Sequence, residues 1–371
     1  MRNRLAYFNY AGLARVSKEI RAKVEEANDE FDNLLFSEAG VERYQALLND
    51  CRGAVATMLG APGAAGISLL PNATFGLNVA LSIIGVNEGE TVVTSDQEHP
   101  ALETWLESWE GRGVQVERVS ADTEEDFVEK IDTLIRRGKV KLIVLSHVSY
   151  KDGRILPVER IGELATGSGI AFVVDGSQAV GQLKVDLSRI KPWIYVFSGH
   201  KWLFGPMGTG GLWASALIDG YLEKHSWTWA SWSTKSIRFN GGRFEGGTTN
   251  FGLAAGLLEA CRQARRDQEE RCGALEKWRW EISRRLQSGA FHLPSKWKGQ
   301  QAPGILTYRL PEERPSWELA DSLFYRYRVT VKPFKPPEKP NAIRISFAPW
   351  TEEEDVQRLV EALRQEIKAQ D

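Results

Sequence analysis

Phe172-Val-Val-Asp-Gly-Ser-Gln-Ala179 and Phe197-Ser-Gly-His-Lys-Trp202 are the two stretches whose reading decides the fold. In the first, a short apolar run ends in an acid, Asp175. In the second, a similar run ends at Ser198 and delivers Lys201 just beyond it. Runs that are apolar throughout belong to strands covered on both faces, as in a parallel sheet flanked by helices. The same texture predicts strands at Ile67–Leu70, Thr91–Ser95, Val114–Ser120, Lys141–Val148, Ile170–Asp175, Ile194–Ser198 and Gly210–Ala214. Helical patterns lie between them. From Thr123 to Arg137, Thr123 is placed to cap, Phe127, Ile131, Leu134 and Ile135 form a stripe, and Gly138 ends the pattern. Strands alternating with helices give an α/β domain with a mostly parallel central sheet. Ligands of such sheets bind at the carboxyl ends of the strands, where Asp175 and Lys201 fall.

The texture changes after about residue 255. Gly252 to Leu286 reads as one long charged helical stretch, and Ile305–Leu310 and Arg328–Val331 read as strands. Pro333 to Pro340 reads as an irregular loop, because its prolines remove backbone donors. Thr351-Glu-Glu-Glu354 has the form of a capping box before a helix with Val356, Leu359, Val360, Leu363 and Ile367 on one face. The expected organisation is a large α/β domain over 18–254. A smaller α+β domain takes 1–17 and 255–371, its N-terminal segment packing back on the site.

Composition limits the function. The chain of 371 residues has 47 Lys plus Arg against 49 Asp plus Glu, a net charge of −2 without the basic excess of a nucleic-acid binder. No apolar run approaches the ~20 residues that span a bilayer. The opening Met-Arg-Asn-Arg-Leu-Ala-Tyr lacks the apolar core of a secretion signal, so a cytoplasmic protein is expected. Three scattered cysteines, Cys51, Cys261 and Cys272, make neither a disulfide framework nor a metal site.

An acid and a lysine delivered to one sheet edge suit pyridoxal 5'-phosphate. The lysine amine condenses with the aldehyde, and the carboxylate keeps the pyridine nitrogen protonated so that the ring acts as an electron sink. The context extends this reading. Asp175-Gly-Ser-Gln-Ala-Val-Gly181 and Ser198-Gly-His-Lys-Trp-Leu-Phe-Gly-Pro-Met-Gly-Thr-Gly-Gly-Leu212 resemble the signature segments of the class V aminotransferase and cysteine desulfurase family, fold-type I pyridoxal-phosphate enzymes. Further segments agree in order: Asn72-Ala-Thr74, Glu98-His-Pro100, Phe244-Glu-Gly-Gly-Thr248 and Ala342-Ile-Arg-Ile-Ser346.

The resemblance implies roles. Ala73 and Thr74 would bind the cofactor phosphate at a helix N-terminus, which offers unpaired N–H groups and a positive dipole end. Ser198 and His200 would add donors. His99 would stack on the ring, Gln178 would donate to its phenolate oxygen, and Lys201 and Asp175 would carry the chemistry with His99. His147 would lie just behind the site. Arg344 would bind the substrate carboxylate with two parallel bonds, with Tyr150 lining the substrate position. Thr248 would reach the phosphate of a neighbouring subunit, which implies a homodimer with shared active sites.

The family divides on a cysteine. Desulfurases carry a nucleophilic cysteine on a loop shortly before the arginine segment, and 329–341 contains none. Tyr7-Phe-Asn-Tyr-Ala-Gly12, Glu98-His-Pro100, the uninterrupted Gly199–Pro206 run and Tyr150 resemble the cyanobacterial-type cyst(e)ine C–S lyase branch instead. Trp227, Trp229 and Trp232 match that branch's site tryptophan only loosely. The expected activity is β-elimination from a cystine- or cysteine-type amino acid, releasing pyruvate, ammonia and a thiol or persulfide. Lys201, its pKa lowered by burial, would take the Cα proton. The alternatives are a class V aminotransferase or an amino-acid epimerase, and behind them a desulfurase without the usual loop cysteine. No metal, nucleic acid or membrane partner is expected.

Overall fold

Val, Ile and Leu fill the strands of the larger unit, Arg15–Val148 with Leu156–Arg266. A computed structural model describes residues 4–35, 37–224, 241–286, 303–334 and 341–368. Seven strands form one sheet: β2 (Ile67–Leu70), β3 (Thr91–Ser95), β4 (Gln115–Val119), β5 (Val140–Ser146), β6 (Ala171–Asp175), β7 (Ile194–Ser198) and β8 (Gly210–Ala214). Their order is β2-β8-β7-β6-β5-β3-β4, and only β8 runs against the rest. Every residue of β3, β6 and β7 is buried. That burial explains their unbroken apolar texture.

The connecting helices are α3 (Ala73–Ile84), α4 (Pro100–Glu110), α5 (Glu124–Arg136), α6 (Val158–Gly167), α7 (Leu187–Ile190) and α8 (Leu217–Lys224). Thr123 caps α5 by accepting from Asp126 N–H. Helix α3 buries its apolar face, Ala73, Gly76, Leu77, Val79, Ala80, Leu81, Ile83 and Ile84, and leaves Thr74, Asn78 and Ser82 exposed. Gly76 brings it close to the sheet: a Cβ there would lie 3.0 Å from Val196 Cγ1. Helices α1 (Lys18–Leu34), α2 (Glu38–Met58) and α9 (Phe251–Arg266) complete this unit.

The smaller unit is Met1–Ala14, Ser149–Ile155 and Asp267–Asp371. It has α10 (Gln268–Leu286), α11 (Ser316–Tyr327) and α12 (Glu353–Lys368). Strand β1 (Ala6–Tyr7) pairs in parallel with β10 (Val329–Thr330), and β9 (Ile305–Arg309), β12 (Ala342–Ser346) and β11 (Lys332–Phe334) form an antiparallel sheet.

Three local expectations change. The long helical stretch breaks at Asp267 into α9 and α10. Pro333 and Phe334 belong to β11 rather than to a loop, since an outer strand tolerates a residue without an N–H; residues 335–340 lie outside the described residues. Helix α12 starts at Glu353, two residues after Thr351, whose hydroxyl accepts from Ala348 N–H at 3.0 Å. No helix among the described residues is long and apolar enough to cross a membrane.

Gly162 marks a close approach of α6 to the end of α7. A Cβ there would sit 1.8 Å from the Ile190 carbonyl oxygen at the end of α7. Backbone cannot yield as a side chain can, so Gly162→Ala is expected to destabilise the protein by roughly 1–3 kcal/mol. A denaturant midpoint unchanged by Gly162→Ala would contradict this packing.

Candidate active site

The carboxyl ends of β5 and β6 place Ser146 and Asp175 side by side, and β7 runs two residues past the Asp175–Val196 pair to end at Ser198. Asp175 is 7% exposed, and its Oδ1 accepts from Ser177 N–H at 2.8 Å. Its backbone carbonyl accepts from His147 N–H at 2.9 Å. Gly176 follows because nothing larger fits: a Cβ would lie 2.2 Å from the Tyr195 ring.

Helix α3 begins beside Ser198. Asn72 caps it by accepting from Phe75 N–H at 2.9 Å, so Thr74 is not the cap and stands exposed in the first turn. Ala73 N–H, expected to face a phosphate, donates to Ser198 Oγ at 3.1 Å. Used as an acceptor there, the serine hydroxyl keeps its own proton for another partner. Beyond the strand end, Gly199 closes against Thr209, where a Cβ would lie 2.5 Å from Oγ1. Lys201 follows in a tight turn that Phe204 N–H closes on the Lys201 carbonyl at 3.0 Å. His200 Nδ1 is buried with no partner among the described residues, and burial and the Lys201 charge hold its pKa down.

His99 caps α4, and its Nδ1 accepts from Ala101 N–H at 3.2 Å. That bond selects the neutral tautomer with the proton on Nε2. Gln178 is buried, and its Oε1 accepts from Trp202 Nε1–H at 2.7 Å. Indole nitrogen only donates, so the Gln178 amide is oriented with its oxygen toward Trp202. Thr248 is exposed, three residues after the buried Glu245.

In the smaller unit, Arg344 is 4% exposed. Its Nη1 donates to the Tyr150 carbonyl at 2.8 Å and its Nη2 to Asn9 Oδ1 at 3.1 Å. Nε is buried with no partner, and the guanidinium has no carboxylate partner among the described residues. Burial lowers its pKa to about 10. The Tyr150 ring meets Phe334 edge-on, with centroids 6.0 Å apart. Trp227, Trp229 and Trp232 lie outside the described residues.

Several further roles come from spatial neighbours. Glu98, 1% exposed, accepts from Ser95 Oγ at 2.5 Å, Ser146 Oγ at 2.6 Å and Ser146 N–H at 3.0 Å. It thus fastens the segment carrying His99 to the strand beside Asp175. His147 Nδ1 and Tyr195 Oη lie 2.9 Å apart. Burial lowers the imidazole to about 4, so it is neutral. Glu98, Trp202 and Asn9 all sit inside the quoted motifs, but only spatial neighbours reveal what they hold.

The donor set fits pyridoxal phosphate. It combines a helix N-terminus, the Ser198 hydroxyl and an unpartnered imidazole nitrogen at His200 with a strand-end carboxylate and a lysine. Comparison with known proteins agrees. The family model Aminotransferase class-V matches residues 6–277. The chain belongs to the class V aminotransferase family. Isopenicillin N epimerase of Streptomyces clavuligerus is 28% identical over 343 residues, which is 86% of this chain and 84% of that protein. A probable cysteine desulfurase of Pyrococcus abyssi is 28% identical over 265 residues, 67% of this chain and 64% of the relative. A solved cystine C–S lyase, in complex with its product cysteine persulfide, superposes with a TM-score of 0.82 at 23% identity and covers 97% of both chains. The fold is that of the fold-type I pyridoxal-phosphate enzymes, and pyridoxal phosphate is the family's cofactor.

Glu98 gives a pH signature. Burial raises its carboxyl from 4.5 to about 7, against the pull of its serine donors, and the Asp175 charge adds to the rise. A folded pKa above the unfolded one means that the folded state binds the extra proton. The contribution is full below about pH 4.5 and is lost as pH rises through about 7. Stability is expected to fall across that window by up to about 3 kcal/mol through this group. Glu98→Gln should flatten that limb in denaturant titrations at pH 5 and pH 8, and an unchanged slope would contradict the assignment.

Proposed function

We propose that the protein is a pyridoxal-phosphate-dependent C–S lyase that cleaves a cystine- or cysteine-type amino acid by β-elimination. The observation that carries this reading is the placement of its thiols. All three cysteines of the chain are described. Cys51 is buried in α2, and burial pushes its thiol well above the ordinary range. Cys261 is buried in α9 and pushed up to about 12. Cys272, on α10, is raised by burial as well. A thiol must ionise to attack sulfur, and these environments oppose it. Lys335-Pro-Pro-Glu-Lys-Pro340, before the arginine segment, has no cysteine either. Elimination expels sulfur by electron flow from Cα and needs no protein thiol.

Pyridoxal phosphate, when bound, supplies an aldehyde for the amino group and a ring that takes up the electron pair of the broken Cα–H bond. The chain's residues do the rest. Lys201 Nζ holds the cofactor at rest and takes the Cα proton. Asp175 offers its carboxylate to the ring nitrogen and keeps a proton there. Ala73, Thr74, Ser198 and His200 bind the phosphate, His99 covers the ring and Gln178 donates to its phenolate oxygen. Arg344 binds the substrate carboxylate, supported by its unpartnered Nε and the absence of a carboxylate partner among the described residues, while Tyr150 lines the substrate position. The working form is a homodimer in which Thr248 serves the phosphate of the partner's site, a role suited to its exposure.

A second reading, amino-acid epimerisation, is favoured by the extent of the match to the Streptomyces enzyme. It uses the same lysine and differs in returning a proton to Cα. Incubation with cystine and with cysteine separates the two: pyruvate, ammonia and sulfur release supports the lyase, and a racemised amino acid supports the epimerase. Replacing Cys51, Cys261 and Cys272 together by Ala should leave C–S cleavage largely intact. Loss of sulfur release with retained cofactor in that variant would establish a desulfurase with a displaced nucleophile. Lys201→Ala should abolish turnover and the cofactor's borohydride-reducible attachment; attachment at another lysine would refute the assignment. Arg344→Ala should raise KM by roughly ten- to a hundredfold, the worth of a charge-assisted contact of about 1.5–3 kcal/mol.

A further inference from the structure

The loop before α9 that carries Thr248 is pinned on both sides of that residue by α2. Upstream, Arg52 grips Glu245 with two parallel bonds, Nη2 to Oε2 at 2.6 Å and Nε to Oε1 at 3.0 Å, and both residues are buried. Glu245 Oε1 also accepts from Leu69 N–H at 2.7 Å, and Arg52 Nη1 donates to Asn49 at 2.8 Å. Gly241 and Gly242, with φ of +91° and +79°, close over the guanidinium; a Cβ on Gly242 would lie 2.7 Å from Nη2. Downstream, Tyr44 Oη accepts from Thr249 N–H at 2.7 Å and donates to the Thr249 carbonyl at 3.0 Å. The Tyr44 ring stays in place against Phe31 and Phe251. Between the pins, Gly246, Gly247 and Thr248 form an exposed arch.

We infer that Tyr44 and the Arg52–Glu245 pair are positioning residues that aim Thr248 at a cofactor phosphate. This rests on the reading of Thr248 as a phosphate ligand. A loop held only for stability could be held by apolar contacts, since a buried ion pair gains little over well-packed hydrophobic side chains. What a bidentate pair adds is a fixed angle and register. Glu245 also ties the arch to Leu69, on the strand that leads through Pro71 and Asn72 into α3. One carboxylate thereby fixes the arch to a strand of its own protomer, from which Thr248 is presented to the partner's site.

The test titrates the full-length protein, freed of cofactor, with pyridoxal phosphate and with pyridoxal, which lacks the phosphate, following the absorbance of the bound chromophore. Thr248→Ala is the reference variant and should weaken pyridoxal phosphate about tenfold while leaving pyridoxal unchanged. Tyr44→Phe, which keeps the ring, should weaken pyridoxal phosphate about fivefold, again without effect on pyridoxal. Glu245→Gln and Arg52→Lys, which loses the planar fork, should behave likewise. If Thr248→Ala discriminates between the ligands and the other variants bind both as the parent does, the positioning role is overturned and the reading of Thr248 stands. If the positioning variants weaken both ligands equally, the pins are merely structural and the inference is overturned. If Thr248→Ala itself does not discriminate, the phosphate reading fails and the inference falls with it.

Discussion

The hydrogen bond from Ala73 N–H to Ser198 Oγ joins the first turn of α3 to the end of β7, and the larger unit's candidate chemistry is arranged around that junction. A helix start leaves backbone N–H groups unpaired, and a strand end leaves the sheet without a next residue to pair. Bringing the two together concentrates donors where side chains also converge. The junction depends on close approach: Gly76 lets α3 lie against Val196, and Gly199 and Gly210 let the return strand pass under the turn that holds Lys201. A side chain on any of these glycines would move the helix start or the lysine turn. The packing of the core and the geometry of the site are therefore one requirement.

The same layer of strand ends tolerates buried acids because each has donors. Asp175 accepts from Ser177 N–H, and Glu98 accepts from two serine hydroxyls and a backbone N–H. Desolvation still wins at Glu98, whose carboxyl rises to about 7. Nearby, burial makes His147 neutral, so the pair it forms with Tyr195 brings no second cation toward Asp175.

The strands could be read from sequence because a two-sided core demands uninterrupted apolar runs, and β2, β3, β7 and β8 occupy the expected residues. Where packing rather than pattern decides, the reading shifts. The charged stretch after Phe251 shows no glycine or proline at its break, so the division at Asp267 is invisible in periodicity. Thr351 has the letters of a capping box, yet its hydroxyl turns to Ala348. Near the candidate site, the strand-end positions of Asp175 and Ser198 were legible because strand ends are predictable places. Glu98, Trp202, Asn9 and Tyr44 were not, because each acts on a residue distant in the chain, and only the folded neighbourhood shows the partner.

Two buried arginines show how such neighbourhoods separate structure from function. Arg52 and Arg344 are each 4% exposed. Arg52 has a carboxylate held in two parallel bonds, so its charge is met within the fold. Among the described residues, Arg344 has a backbone carbonyl, an amide oxygen and the face of the Phe334 ring, with no carboxylate and with Nε left over. Its pKa falls to about 10, which still leaves a cation at neutral pH. A buried cation without an anion lowers folding stability, and a fold selected for stability alone would pair it or replace it. An arriving carboxylate would meet a guanidinium already oriented by Tyr150 and Asn9, so the strain of unmatched charge is relieved on binding rather than on folding. The contrast supports assigning Arg52 to the scaffold and Arg344 to an anionic ligand.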